Sequence, residues 1–156
     1  MELDRVLEVL RALNDEGVEY VVVGAVALNL HGLPRATEDI DVFIRASEQN
    51  VARVRSALHR LWDDAHIDEI SADDLSGEYP VVRYGPPNED FMIDLLSRPG
   101  EAFGFDDLVS EVISVGDVPV RLATPATMYA MKRDTVRAQD RADAQALKDR
   151  FDLGGA

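Results

Sequence analysis

The stretch Val21–Arg45, VVVGAVALNLHGLPRATEDIDVFIR, decides how the rest of the chain is read. Tyr20–Val23 is an apolar, β-branched run, the composition of a buried strand, and it stops at Gly24. Ala25–His31 has helix-like character and ends at Gly32. Leu33-Pro34 turns the chain, Arg35–Glu38 forms a polar approach, and Asp39–Ile44 predicts a second strand. Side chains alternate along a strand, so Asp39 and Asp41 share one face while Ile40 and Val42 share the other. Aspartate is a poor strand former, and two adjacent carboxylates repel unless a cation lies between them. A divalent hard cation answers that need, because it takes carboxylate oxygens and keeps sites for phosphates and water. A solvated acidic strand face is the competing reading of Asp-x-Asp alone. The preceding unit favours the metal. A strand, a glycine turn and a helix start with free N–H groups suit a phosphate, directly beside the acids.

The pattern apolar strand–Gly24-Ala25–helix–Gly32–Arg35-x-Thr37-x-Asp39-Ile40-Asp41 resembles the core signature of the polymerase-beta-type nucleotidyltransferases. Its Arg-x-Thr-x-Asp-x-Asp form is that of the AbiEii-like branch of abortive-infection and toxin–antitoxin proteins. The resemblance implies an α+β fold, a small mixed sheet with flanking helices and a C-terminal helical segment. It implies that Gly24, Ala25 and the helix start cradle the phosphates of a nucleoside triphosphate, with Arg35 and Thr37 approaching them. Asp39 and Asp41 would hold Mg2+ or Mn2+. Ala25 stands where the family usually carries Gly or Ser, which removes a hydroxyl contact and leaves the backbone donors.

Further along, Tyr79–Tyr84 and Phe91–Leu96 flank the turn-rich connector Gly85–Asp90 and predict a hairpin. Asp94 lies inside the apolar run Met92–Leu96, where a carboxylate is costly without a partner. A hydrogen-bonded structural aspartate is one reading. The resemblance gives the other and preferred one, a third metal carboxylate on a neighbouring strand, also placed to act as base. Val112–Val115 and Val118–Leu122 predict a second hairpin around Gly116-Asp117, with Pro119 arguing for an edge position.

Pro125–Phe151 is read as helical, with Thr124 as cap. In a continuous helix Asp143, eleven residues after Lys132, returns to nearly the same face. The resemblance assigns Lys132 to the triphosphate, neutralising the leaving pyrophosphate, and the later acid to positioning the lysine or substrate. A solvated helix face is the alternative for Lys132. Asp140 and Asp143 are equally placed to pair with Arg137 and Arg141 at helical spacing. Arg133, Arg137 and Arg141 form a cationic line that reads first as salt-bridging and second as a phosphate surface. Glu2–Glu16 and the segment after Ser47 predict amphipathic helices, and Asp63–Gly77 an acidic surface connection. His59, Trp62 and His66 are read as structural or surface residues.

At 156 residues and 46% hydrophobic content, a single domain is expected, with a core over 18–122 and C-terminal helices over 124–151. There are no cysteines, which excludes disulfides and thiol catalysis. No signal peptide or spanning run is read, so a cytoplasmic location is expected. The net charge of −14 opposes anionic membranes and sequence-independent DNA binding, which depends on Lys and Arg. The expected function is Mg2+-dependent transfer of a nucleoside monophosphate from a nucleoside triphosphate to an acceptor. The family's acceptors include tRNA, protein and small molecules. The toxin of a toxin–antitoxin pair, with a cognate antitoxin partner, is one implication. The alternatives are a catalytically weak binding module, acting as antitoxin or partner protein, and an antibiotic-modifying nucleotidyltransferase.

Overall fold

The computed structural model describes residues 2–77, 80–97, 104–132 and 138–153. Helix α1 (Leu3–Asp15) buries Val6, Val9, Leu10 and Leu13 on one stripe. Leu3, placed on that stripe by spacing, is 52% exposed, because it starts the first turn beyond the edge of the core. Gly17 follows with φ +69, a left-handed conformation that glycine takes without steric cost.

Strand β1 (Tyr20–Val23) is buried along its whole length. The reason is topological. The sheet runs β3 (Val81–Tyr84), β4 (Met92–Leu96), β2 (Asp39–Ile44), β1, β6 (Val118–Ala123), β5 (Ser110–Val115), so β1 is interior. It pairs antiparallel with β2 and parallel with β6, while β2 pairs parallel with β4. This is the mixed sheet of an α+β fold. On β2 the side chains of Ile40, Val42 and Ile44 are fully buried, while Asp39 and Asp41 on the other face are half-buried. Helix α2 (Gly24–Leu30) packs on β1 and β2, and α3 (Glu48–His59) packs on α1. Ser47 caps α3, its hydroxyl accepting from Asn50 N–H at 3.1 Å.

Both predicted hairpins form, with β3 antiparallel to β4 and β5 antiparallel to β6. Tyr79, at the start of the first, lies outside the described residues. Pro119 is not on an edge strand, since β6 pairs on both sides. It is tolerated because the pairing of β6 with β1 is registered at Val22–Leu122, three residues further on, so the ring interrupts no bond there. The acidic stretch after Trp62, read as a loop or short helix at the surface, also contributes to the core. It holds a 3-10 turn (Ala65–Glu69) and the short helix α4 (Ala72–Leu75), and these bury Ile67, Ile70 and Leu75.

The C-terminal segment is two helices, α5 (Pro125–Lys132) and α6 (Ala138–Phe151), packed against each other. Two helices in side-by-side contact form the expected C-terminal helical segment, in place of the continuous helix in which Lys132 and Asp143 would share a face. Arg133 and Arg137 lie outside the described residues. Among the described residues, no helix is long and apolar enough to cross a membrane.

Candidate active site

The in-register pairing of parallel β2 and β4 sets Asp41 directly beside Asp94. The antiparallel pairing of β3 then sets Arg83 beside Asp94 on the other side. One row across three strands thus reads Asp41, Asp94, Arg83, with Asp39 two residues back along β2. All four side chains line a cleft of about 1000 Å³. Gly24, Ala25, Arg35, Thr37, Lys132 and Asp143 line the same cleft. Every site residue expected from the sequence therefore faces one space.

Gly24 is fixed by two independent constraints. Its φ is +71, and a Cβ there would fall on Asp41 Oδ2 and stand 2.9 Å from Asp41 Cβ and Cγ. Only glycine lets α2 begin hard against the acidic strand. Val23, which precedes α2, carries no capping oxygen, so no side chain at that position satisfies the N–H groups at the helix start.

The carboxylates differ in environment. Burial raises the Asp41 carboxyl to about 7. A hydrogen bond it donates to Asp94, and then the charges of Asp94 and Asp39, add to the rise, while Lys132 opposes it. Asp94 Oδ1 is buried and makes no hydrogen bond among the described residues, although Arg83 Nε lies 3.4 Å away as an ion-pair contact. Asp39 accepts from Arg83 Nη2 at 2.8 Å. The Asp39 N–H donates to Thr37 Oγ1 at 3.0 Å, and the Thr37 hydroxyl reaches Asp39 O at 3.1 Å. Thr37 thus has a job at the start of β2.

Among the described residues no group of three acidic or histidine side chains is gathered as a ready metal cage. The donor chemistry nonetheless suits a hard divalent cation. Three carboxylates face one cleft, one with an unsatisfied buried oxygen and one pushed upward first by burial and then by its hydrogen bond to Asp94 and its anionic neighbours. Arg83 supplies positive charge in the same place.

On the opposite wall, Lys132 Nζ at the end of α5 is 3.1 Å from both Asp140 and Asp143 on α6. Asp143 Oδ1 is also 3.5 Å from Arg35 Nε, a buried nitrogen with no hydrogen bond among the described residues. Asn29 on α2 holds the Arg35 backbone from both sides. It donates to Arg35 O at 2.9 Å and accepts from Arg35 N at 2.6 Å. Sequence reasoning missed Asn29 and Arg83. The signal for Arg83 was present as a basic residue in a strand expected to pair with the strand of Asp94, but it needed the register. A smaller hollow of about 390 Å³ behind Arg83, lined by Asp64, His66 and Tyr84, holds none of the expected site residues.

Several solved structures share the fold. A chain from Thermotoga maritima, described as a nucleotidyltransferase, superposes with TM-score 0.57 at 12% identity over 97% of this chain and 96% of its own. The enzyme ANT(2")-Ia, solved in complex with adenylyl-2"-tobramycin, gives 0.57 at 13% identity over 95% and 88%. An antigenic nucleotidyltransferase-like protein from Paracoccidioides brasiliensis gives 0.58 at 14% over 96% and 76%. No curated protein sequence matches the chain significantly. The family model described as "Nucleotidyl transferase AbiEii toxin, Type IV TA system" matches residues 5–154. The chain therefore belongs to the AbiEii nucleotidyltransferase family.

Proposed function

We propose that the protein is a Mg2+-dependent nucleotidyltransferase that moves a nucleoside monophosphate from a nucleoside triphosphate to an acceptor hydroxyl. Its biological role is that of a toxin countered by an antitoxin protein. The observation that carries this reading is the row of Asp41 and Asp94 on adjacent parallel strands, abutting the Gly24 turn and facing Lys132 across one cleft.

The triphosphate lies along the cleft with its phosphates toward Gly24 and Ala25, where backbone N–H groups donate. Asp39, Asp41 and Asp94 are the residues that hold the divalent cation, which, when bound, neutralises phosphate charge and lowers the barrier to attack. The acceptor oxygen attacks the α-phosphorus, and the bond from that phosphorus to the bridging β-oxygen breaks. Pyrophosphate leaves. Asp94, with a buried oxygen free to accept, takes the acceptor's proton. Lys132, held between Asp140 and Asp143, meets the charge developing on pyrophosphate. Arg35, carried by Asn29, adds a second cation on that wall.

The net charge of −14 disfavours loose binding to nucleic acid and suits a cationic acceptor or partner. The test supplies each α-32P nucleoside triphosphate with Mg2+, using total tRNA, lysate protein and aminoglycosides as separate acceptors. Label transferred by the wild type and lost in Asp39→Ala/Asp41→Ala identifies nucleotide and acceptor class together. Growth arrest on expression, relieved by a co-expressed antitoxin, supports the toxin role. Nucleotide binding without transfer to any acceptor replaces the reading with a binding module.

A further inference from the structure

Arg83 is the one cation among the described residues that bonds the acidic strand pair directly. It lies opposite Asp94 in the β3–β4 register, donates to Asp39 at 2.8 Å and stands 3.4 Å from Asp94 Oδ1. One guanidinium thereby contacts two of the three carboxylates that would hold a divalent cation. A planar fork of donors suits that bridging of two carboxylates. Its side chain is 56% exposed, so little packing opposes its departure. Asp94 Oδ1 lacks a hydrogen bond even with Arg83 beside it, so the guanidinium satisfies the acids only in part.

We infer that Arg83 is a positioning residue that gathers Asp39 and Asp94 in the metal-free protein and is exchanged for the divalent cation on loading. This rests on the metal reading of the acids given above. Arg83 and the cation compete for the same oxygens, so the protein trades some metal affinity for a gathered apo site. An exposed charge-assisted contact of this kind corresponds to roughly a three- to tenfold change in an equilibrium constant.

The test titrates Mn2+ into wild type, Arg83→Gln and Arg83→Lys, reading free Mn2+ by electron paramagnetic resonance. The 15N-edited resonance of the Arg83 Nε–H, assigned by its loss in Arg83→Gln, is followed in parallel in the wild type with Mg2+. Arg45→Gln, which removes a remote arginine paired with Glu19 and Asp106, controls for net charge. The inference expects Arg83→Gln to bind Mn2+ three- to tenfold more tightly than wild type and than Arg45→Gln, with Arg83→Lys between. It also expects the Nε–H resonance to shift as Mg2+ loads. Equal affinity in wild type and Arg83→Gln, or an unmoved resonance at saturating metal, overturns the exchange and leaves the metal site standing. Failure of every form to bind Mn2+ overturns both. Thermal unfolding of each variant establishes that it is folded, and Arg83→Lys carries the test if Arg83→Gln is not.

Discussion

Replacing Asp41 with asparagine should stabilise the metal-free protein at neutral pH while abolishing nucleotidyl transfer. Burial, the hydrogen bond to Asp94 and the charges of Asp94 and Asp39 carry the Asp41 carboxyl from 3.8 to about 7. A group whose folded value is raised contributes stability that is fully present below its unfolded value. That stability is lost as pH rises through the folded value. Between about pH 4 and pH 7 the wild type therefore loses stability at this site, up to roughly 4 kcal/mol at about 1.4 kcal/mol per tenfold in acidity. Screening by solvent on the cleft side reduces this to about 2 kcal/mol. Asparagine has the shape of the protonated acid and donates to Asp94 in its place, so it escapes the loss. In a domain of this size the difference corresponds to a rise of about 4–8 °C in melting temperature. The assay is thermal unfolding of both proteins in chelator at pH 5 and pH 8. Asp41→Asn should exceed the wild type only modestly at pH 5, by about a third of its excess at pH 8, and excess Mg2+ should close the gap by stabilising the wild type alone. A variant less stable than wild type at pH 8 without metal refutes the electrostatic account of the acidic row.

Gly24→Ala combines a strained φ with a clash against Asp41 and should cost at least about 3 kcal/mol in urea unfolding, with transfer lost because the carboxylate is displaced. Lys132→Gln should weaken binding of a nucleoside triphosphate about tenfold and of the monophosphate hardly at all, read by calorimetry, because the contact is with the leaving phosphates. Asn50→Ala should cost about 2–4 kcal/mol with no specific effect on nucleotide affinity. Its buried side chain accepts from Glu19 N and donates to Glu19 O and Arg45 O, tying α3 to the ends of β1 and β2. Chelation of divalent metal should abolish transfer while the fold persists by circular dichroism, since the apolar core does not include the acids.

The parts of the site legible in the sequence were those encoded locally. Asp39 and Asp41 share a face by strand alternation alone, and the Gly24 break between an apolar strand and a helix marks the turn that abuts them. Asp94 was visible as a carboxylate in an apolar run, but its place beside Asp41 depends on parallel register, which no local pattern fixes. Arg83 was illegible for the same reason, since its role exists only once β3 pairs with β4. The C-terminal helices show the reverse failure. Lys132 and Asp143 were brought together by assuming one helix, and α5 and α6 bring them together as two, through tertiary packing that periodicity does not report. Pro119 misled because a proline rule about edges was applied to a whole strand, whereas the β1–β6 pairing is registered only at the far end of β6.

The central claim is that this cleft transfers a nucleotidyl group, and the position of the broken bond tests it most directly. The preferred nucleoside triphosphate, labelled separately at the α- and γ-phosphorus, is incubated with the protein, Mg2+ and the responsive acceptor. The account predicts α-label on the acceptor and γ-label in pyrophosphate, both abolished in Asp39→Ala/Asp41→Ala. Appearance of γ-label on the acceptor, or of free γ-phosphate with no α-label transferred, contradicts it.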